Sequence, residues 1–283
     1  MKNNTTNFKT FNYHENGEVS ASLLSTLKTT SQLDPGLYSI ETAFNSGRGW
    51  EAKISILEGI ETYDINIKYH FLDKINTIFK AFFNSEIKEK VNKLGYKHKA
   101  GILLHGKQGT GKTSIFKSYF NEFITKQNAI VFSIDSTQYM PLMWDYIQQI
   151  RKIQTNPIII FIDECEILCS NEEEVMKKAL DGFDSIDNCV ILMATNYINK
   201  IPEAIKSRPS RIKYKFEVEG IQDEEVIYNF VHTSFNKVEV DLSFTMEEAK
   251  AIQGCTVDDL KQMVLDKIMS IEPSKTSKTK LGF

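Results

Sequence analysis

Arginine is nearly missing from this chain. Of its 34 basic residues only Arg48, Arg151, Arg208 and Arg211 are arginine, and lysine makes up the rest. Lysine serves as a solvated point charge, whereas arginine supplies a rigid planar fork of donors. Two arginines three residues apart, Arg208 and Arg211, therefore call for a use that lysine cannot meet. Other absences narrow the field. No run of eighteen apolar residues occurs, so no transmembrane helix is expected. The start, Met1 to Thr10, is polar and lacks an apolar h-region, so no signal peptide is expected. Cys165, Cys169, Cys189 and Cys255 have the spacing of neither a zinc framework nor a redox CxxC. Three of them lie in or beside apolar segments, as small buried thiols do, and the set suits a reducing cytoplasm. The net charge of -3 gives no global sign of a nucleic-acid partner, although a local basic lining would be averaged away. No internal repeat is visible.

What is present is ample for one sizeable core with a smaller domain or two: 283 residues, 41% of them hydrophobic. Residues 1 to 36 are rich in Asn, Thr and Ser without periodicity and read as loosely ordered. Leu37 to Phe44 alternates, Asn45 to Gly49 is a turn cluster, and Trp50 to Leu57 alternates again, which is a hairpin signal. A β-rich N-terminal module over residues 1–70 is expected. Phe71 to Leu94 has helical spacing through Phe71, Ile75, Ile78, Phe79, Phe82 and Phe83. Short apolar runs then alternate with helical stretches: Gly101 to Leu104, Ala129 to Ile134, Pro157 to Ile162, Cys189 to Ala194 and Ile212 to Val218. That pattern predicts an α/β fold, a parallel sheet covered on both faces, over residues 71–219. From Gln222 the pattern is helical only. Thr245 with Glu248 and Thr256 with Asp259 are capping boxes, and Gly254 can end the helix between them. A small helical lid is expected over residues 220–271, and a disordered lysine- and serine-rich tail over 272–283.

Three strand ends carry chemistry. Gly106, Lys107, Gln108, Gly109, Thr110, Gly111, Lys112 and Thr113 fit the P-loop pattern in full, between a strand and a helix as that motif requires. The glycines let backbone N–H groups turn inward around phosphates, and Ser114 continues the helix start that faces them. Lys112 reaches the β/γ oxygens and Thr113 holds Mg²⁺. Asp163 and Glu164 end the apolar run Ile158 to Ile162. Asp163 is expected to hold Mg²⁺, and Glu164 to act as general base on the attacking water, with Glu166 the next candidate. Asn196, ending Ile191 to Thr195, can donate to the γ-phosphate and accept from the water, although a turn asparagine has the same look. ATP and Mg²⁺ are the expected ligands.

Gly101 to Gly106, Asp163-Glu164, Leu180 to Phe183, Ala194 to Asn196 and Arg208 to Arg211 come in the order and spacing of AAA proteins. The chain resembles the classical AAA clade of the AAA+ superfamily, and within it is similar to compact Bcs1-type ATPases and to AAA proteins of large phages. The resemblance covers about Phe71 to Ile271 and is most specific from Gly101 to Val218. It implies a P-loop NTPase three-layer αβα sandwich with a helical lid, and a homo-oligomeric, hexameric ring with ATP at subunit interfaces. It also implies an arginine finger at Arg211, reaching the neighbour's site, with Arg208 as a secondary partner. Ser210 departs from the usual glycine between them, and Tyr214 stands where a further arginine is common.

The substrate-gripping loop of such rings holds an aromatic–hydrophobic–glycine triplet, and residues 136–144 here contain no glycine. Here Tyr139, Met140, Pro141, Leu142 and Trp144 offer either a peptide grip or the buried start of a helix, and the two readings stand level. A protein substrate, engaged through the N-terminal module or the pore, is preferred. The rival is a clamp-loader or helicase-loader machine acting on nucleic-acid complexes, which would show lysines instead of aromatics at the pore.

Overall fold

The computed structural model describes residues 10–13, 18–22, 29–30, 32–46, 49–57, 69–135, 139–181, 185–240 and 242–270. They form two compact units. The larger takes in residues 1–65, 69–106 and 112–218; the smaller takes in 66–68, 107–111 and 219–283. No helix among the described residues is long and apolar enough to cross a membrane.

The larger unit is built on one ten-stranded sheet. Its strands are β1 (Thr10–Tyr13), β2 (Glu18–Ser22), β3 (Thr29–Thr30), β4 (Gly36–Asn45), β5 (Gly49–Ile56), β6 (Lys99–His105), β7 (Ile130–Ile134), β8 (Ile158–Ile162), β9 (Cys189–Thr195) and β10 (Tyr214–Glu217). Their order is β10-β6-β9-β8-β7-β4-β5-β2-β1-β3. Every pair from β10 to β4 is parallel, and every pair from β4 to β3 is antiparallel. The helices are α1 (Leu72–Phe82), α2 (Ser85–Lys93), α3 (Lys112–Gln127), α4 (Met140–Ile153), α5 (Cys165–Asn171), α6 (Glu173–Asp181) and α7 (Glu203–Lys206).

The buried runs read from sequence are the inner strands because both faces of each are covered. Alternate residues of β8 serve opposite cores. Ile158, Ile160 and Ile162 pack with Met143, Ile147 and Ile150 of α4 and with Leu168 of α5. Ile159 and Phe161 pack with Phe79 of α1 and Phe116 and Phe120 of α3. This is the αβα sandwich, and burial on both faces is why β8 carries no polar residue.

Three expectations are corrected. The β-rich segment of residues 1–70 does not stand apart in the sheet: β4 pairs in parallel with β7, Gly36 opposite Ile130 through Ser39 opposite Ser133. Residues 1–36 were expected to be loose, yet β1, β2 and β3 lie there. Their partners are supplied by β5 and by one another rather than by any local apolar pattern. The helix expected over Phe71 to Leu94 is two helices, because Asn84 takes an extended backbone and its side chain accepts from Ile87 N, starting α2 afresh.

The smaller unit carries α8 (Glu224–Lys237), α9 (Met246–Ala251) and α10 (Val257–Met269). Both capping boxes form: Thr245 with Glu248 opens α9, and Thr256 with Asp259 opens α10. Ile221 N donates to Cys255 O at 2.8 Å and Gly254 N to Ile221 O at 2.8 Å, closing the unit on itself. Residues 272–283, expected as a disordered tail, lie outside the described residues.

Candidate active site

Strands β6, β9 and β8 are parallel neighbours, with His105 opposite Thr195 and Ile162 opposite Met193. Their carboxyl ends therefore lie side by side, and this edge is where open α/β sheets bind ligands. Topology thus brings the P-loop start, Asn196 and the Asp163–Glu164 pair together across some ninety residues of chain.

After β6 the backbone turns at Gly106. A methyl placed there would sit 2.2 Å from Val218 O, so the end of β10 demands glycine at this point. The helix α3 then opens at Lys112 with no acidic residue of its own in its first turn, which suits its positive end to a phosphate. Thr113 and Ser114 follow in that turn. Lys112 is only 6% exposed and its Nζ donates to Gly106 O at 2.9 Å. In the smaller unit, Lys107–Gly111 forms a turn in which Thr110 Oγ1 donates to Lys107 O at 2.9 Å. Asp258 N donates to Gly109 O at 3.2 Å, and Lys107 and Gln108 are exposed.

At the end of β8, Thr113 Oγ1 donates to Asp163 Oδ2 at 2.7 Å. Asp163 Oδ1 accepts Glu164 N at 3.0 Å. Glu164 takes left-handed backbone angles, φ 45° and ψ 43°, at the start of α5. An L-residue there costs about 1–2 kcal/mol, and such strain collects at functional sites. The Glu164 side chain is exposed, whereas Glu166 is buried with Oε2 unpartnered among the described residues. Between the two, Glu164 is the one that water reaches. Asn196 is half-buried, on a turn shaped by Tyr197 N donating to Thr195 Oγ1 at 2.9 Å.

His105, which sequence reading passed over, ends β6 beside the loop. Burial pushes its pKa down; the Lys112 and Lys215 charges push the same way and Glu217 opposes. No motif marks it, and only the pairing of β6 with β10 brings Glu217 and Lys215 to it.

The arginines fall out differently from the expected assignment. Arg211 is 7% exposed, and its Nε donates to Asp181 Oδ2 at 2.8 Å. Its Nη2 lies 3.4 Å from Asp181 Oδ1, and its Nη1 donates to Ala204 O. A guanidinium held on three sides within its own chain does not project. Arg208 does: its side chain is 65% exposed, with Nη1 3.7 Å from Asp181 Oδ2. Motif spacing alone could not rank the two, because exposure depends on Asp181, thirty residues upstream of Arg211.

The gripping-loop alternative is corrected on one side. Trp144 and Met140 lie in the core under α4, at 5% and 0% exposure, and Tyr139, Pro141 and Leu142 are half-buried. Tyr139 N donates to Thr42 Oγ1 of β4 at 2.9 Å. The buried-helix reading accounts for Met140 and Trp144. Residues 136–138, just before Tyr139, lie outside the described residues.

A P-loop, a threonine hydroxyl bonded to a strand-end aspartate, a following glutamate and a third strand ending in asparagine define the P-loop nucleoside triphosphatases. Within that class, residues 102–219 match the ATPase family associated with various cellular activities (AAA). The chain is similar to protein CdcH of Halobacterium salinarum, 29% identical over 60% of this chain and 25% of that protein. It is similar to the cell division cycle protein 48 homolog of Archaeoglobus fulgidus, 27% identical over 64% of this chain and 26% of that protein. It is also similar to the proteasome-activating nucleotidase of Aeropyrum pernix, 28% identical over 61% of this chain and 46% of that protein. The chain thus spans less than half the length of each of these relatives. None of the three is of the Bcs1 type.

Proposed function

We propose that this chain hydrolyses ATP in a ring of identical subunits and uses the turnover to remodel a protein. The observation that carries the ATPase reading is the 2.7 Å bond from Thr113 Oγ1 to Asp163 Oδ2, next to a strained, exposed Glu164. A hydroxyl and a carboxylate are hard oxygen donors of the kind Mg²⁺ takes, so Thr113 and Asp163 would hold that ion. When bound, Mg²⁺ would neutralise negative charge on the phosphates.

The chain's own groups do the rest. The N-terminus of α3 and Lys112 bind the phosphates. Lys112 has to leave Gly106 O to do so, and a charged phosphate oxygen is the stronger acceptor. Glu164 takes the proton of the attacking water, and Asn196 orients that water and the γ-phosphoryl oxygens. Arg208, exposed and only loosely paired, reaches the neighbouring subunit's nucleotide as the finger, in place of Arg211. The name of the proteasome-activating relative supports a protein substrate. Three buried free thiols suit work in the cytoplasm.

The test is steady-state ATP turnover with calorimetric ATP binding. Lys112→Ala abolishes binding, and Glu164→Gln binds normally but turns over at least ~100-fold more slowly. Near wild-type turnover by Glu164→Gln sinks the assignment of the base and, with it, the use made of the site.

A further inference from the structure

We propose that a cavity at the amino edge of the sheet is a binding site for an aliphatic carboxylate, with its head on Lys99 and Lys213 and its chain against α1 and α2. The site is separate from the nucleotide edge. Lys99 and Cys189 are register partners at the starts of β6 and β9. From there β6 runs roughly 20 Å to His105 at the other edge.

The cavity measures about 350 Å³, the size of a small-molecule site. Its buried lining includes Ile78 and Phe82 of α1, with Leu180, Cys189 and Ile191. Helix α2 supplies one side. It buries none of its residues, yet Ile87 and Val91 stand one turn apart on it and both line the cavity. An apolar pair on a helix that enters no core is a face for something held in the cavity. Another side is the arginine loop. A methyl at Gly101 would stand 2.3 Å from Arg211 O, so the loop lies directly on β6, and Pro209 and Ser210 complete the wall.

The charge of the lining is one-sided. Lys97, Lys99, Arg211 and Lys213 line the cavity, and no aspartate or glutamate among the described residues does. These cations are not equally committed. Arg211 is held by Asp181, and Lys97 Nζ donates to Ser185 O. Lys99 Nζ donates to Leu180 O and forms no ion pair among the described residues. Lys213 is exposed, with Nζ 5.2 Å from the centre of the Tyr214 ring. His98 is wall and not a head-group donor: it is buried, stacked on Phe82, and its Nε2 donates to Phe82 O at 2.7 Å.

A carbonyl is a neutral acceptor, and a carboxylate makes the stronger, charge-assisted bond. Burial pushes the Lys99 pKa down; the Lys97 and Arg211 charges push the same way, while Asp181 and Cys189 oppose. An anion beside Lys99 offsets both the burial and the crowding of like charge. A bare anion would leave Ile87 and Val91 in water, and a bare hydrocarbon would leave the ammonium groups as they are. The lining therefore selects one anionic head on a short aliphatic body. A free aliphatic acid and a polypeptide end with an aliphatic last residue both present that chemistry.

Calorimetric titration of the full chain with octanoate tests the proposal. One octanoate is expected per chain, with octanol and acetate each at least about 10-fold weaker. Lys99→Met keeps the aliphatic stem and is expected to weaken octanoate by about 10-fold or more while leaving octanol unchanged. Ile87→Asp puts a like charge on the rim and is expected to abolish octanoate binding. An acid suits the first turn of α2, and a thermal melt checks the fold of both variants. A tripeptide ending in a free leucine carboxylate, run against its amide, separates the sources. Tighter binding of the peptide than of octanoate assigns the site to a polypeptide end, and the reverse assigns it to a free acid. Equal binding of octanoate and octanol overturns the proposal. So does octanoate binding that neither variant weakens, or no binding of either octanoate or the peptide.

Discussion

Replacing Glu164 by glycine is expected to give a more stable protein than replacing it by alanine, against the usual order. Both changes remove the carboxylate, and both keep the bond from the residue 164 N–H to Asp163 Oδ1, because that bond is made by backbone. The side chain is exposed, so its loss contributes little to either fold. What differs is the cost of φ 45° and ψ 43°. Alanine keeps the left-handed cost of about 1–2 kcal/mol, which glycine does not carry. Glycine instead loses about 0.4–1 kcal/mol through the greater freedom of its unfolded chain. The difference favours Glu164→Gly by about 0.5–1 kcal/mol, or a shift in Tm of about 2–4 °C per kcal/mol for a domain of this size. Differential scanning calorimetry of the two variants, side by side at neutral pH, reads it directly. Both are expected to be inactive, so any gain in stability is made at the expense of the base. A Glu164→Ala variant that melts above Glu164→Gly would mean that the backbone at the end of β8 is unstrained, and the strain argument for the site would fall.

The two arginines should part company in stability as they do in exposure. Arg211→Ala takes from Asp181 its nearest cation and is expected to cost about 3 kcal/mol, whereas Arg208→Ala stays within about 0.5 kcal/mol; equal urea midpoints would contradict this. Trp144→Ala is expected to lose about 3–5 kcal/mol by opening the core under α4, and unchanged thermal stability with impaired substrate work would return it to the gripping loop. Stability should also fall on mild acidification through His105. Its folded pKa lies below the ordinary 6.5, so its contribution is whole above about 6.5 and is lost as pH falls through the folded value. His105→Gln should show a shallower fall in Tm as the pH drops below about 6.5, and an identical slope would show that the ring is not held neutral by its surroundings.

The sequence alone determined the elements whose signals are local. The P-loop, the apolar run ending in Asp163 and Glu164, the two capping boxes and the alternating hairpin are each contained within about two dozen residues, and each is found close to its expected bounds. They are legible because a strand buried on both faces excludes polar residues, and a helix N-terminus needs a hydroxyl and an acid three residues apart. Tertiary structure decided whatever depends on partners far along the chain. The hairpin gives no sign that Gly36 to Ser39 will lie along β7, since an edge pairing is set by which neighbour is available. Nor does Tyr139 to Trp144 tell a grip from a core, because an amphipathic start of a helix and an aromatic loop share one composition. The arginine pair is the sharpest case. Spacing put Arg208 and Arg211 on one loop, but only Asp181 at the end of α6, and Gly101 beneath the loop, made one of them a buried pin and left the other in solvent.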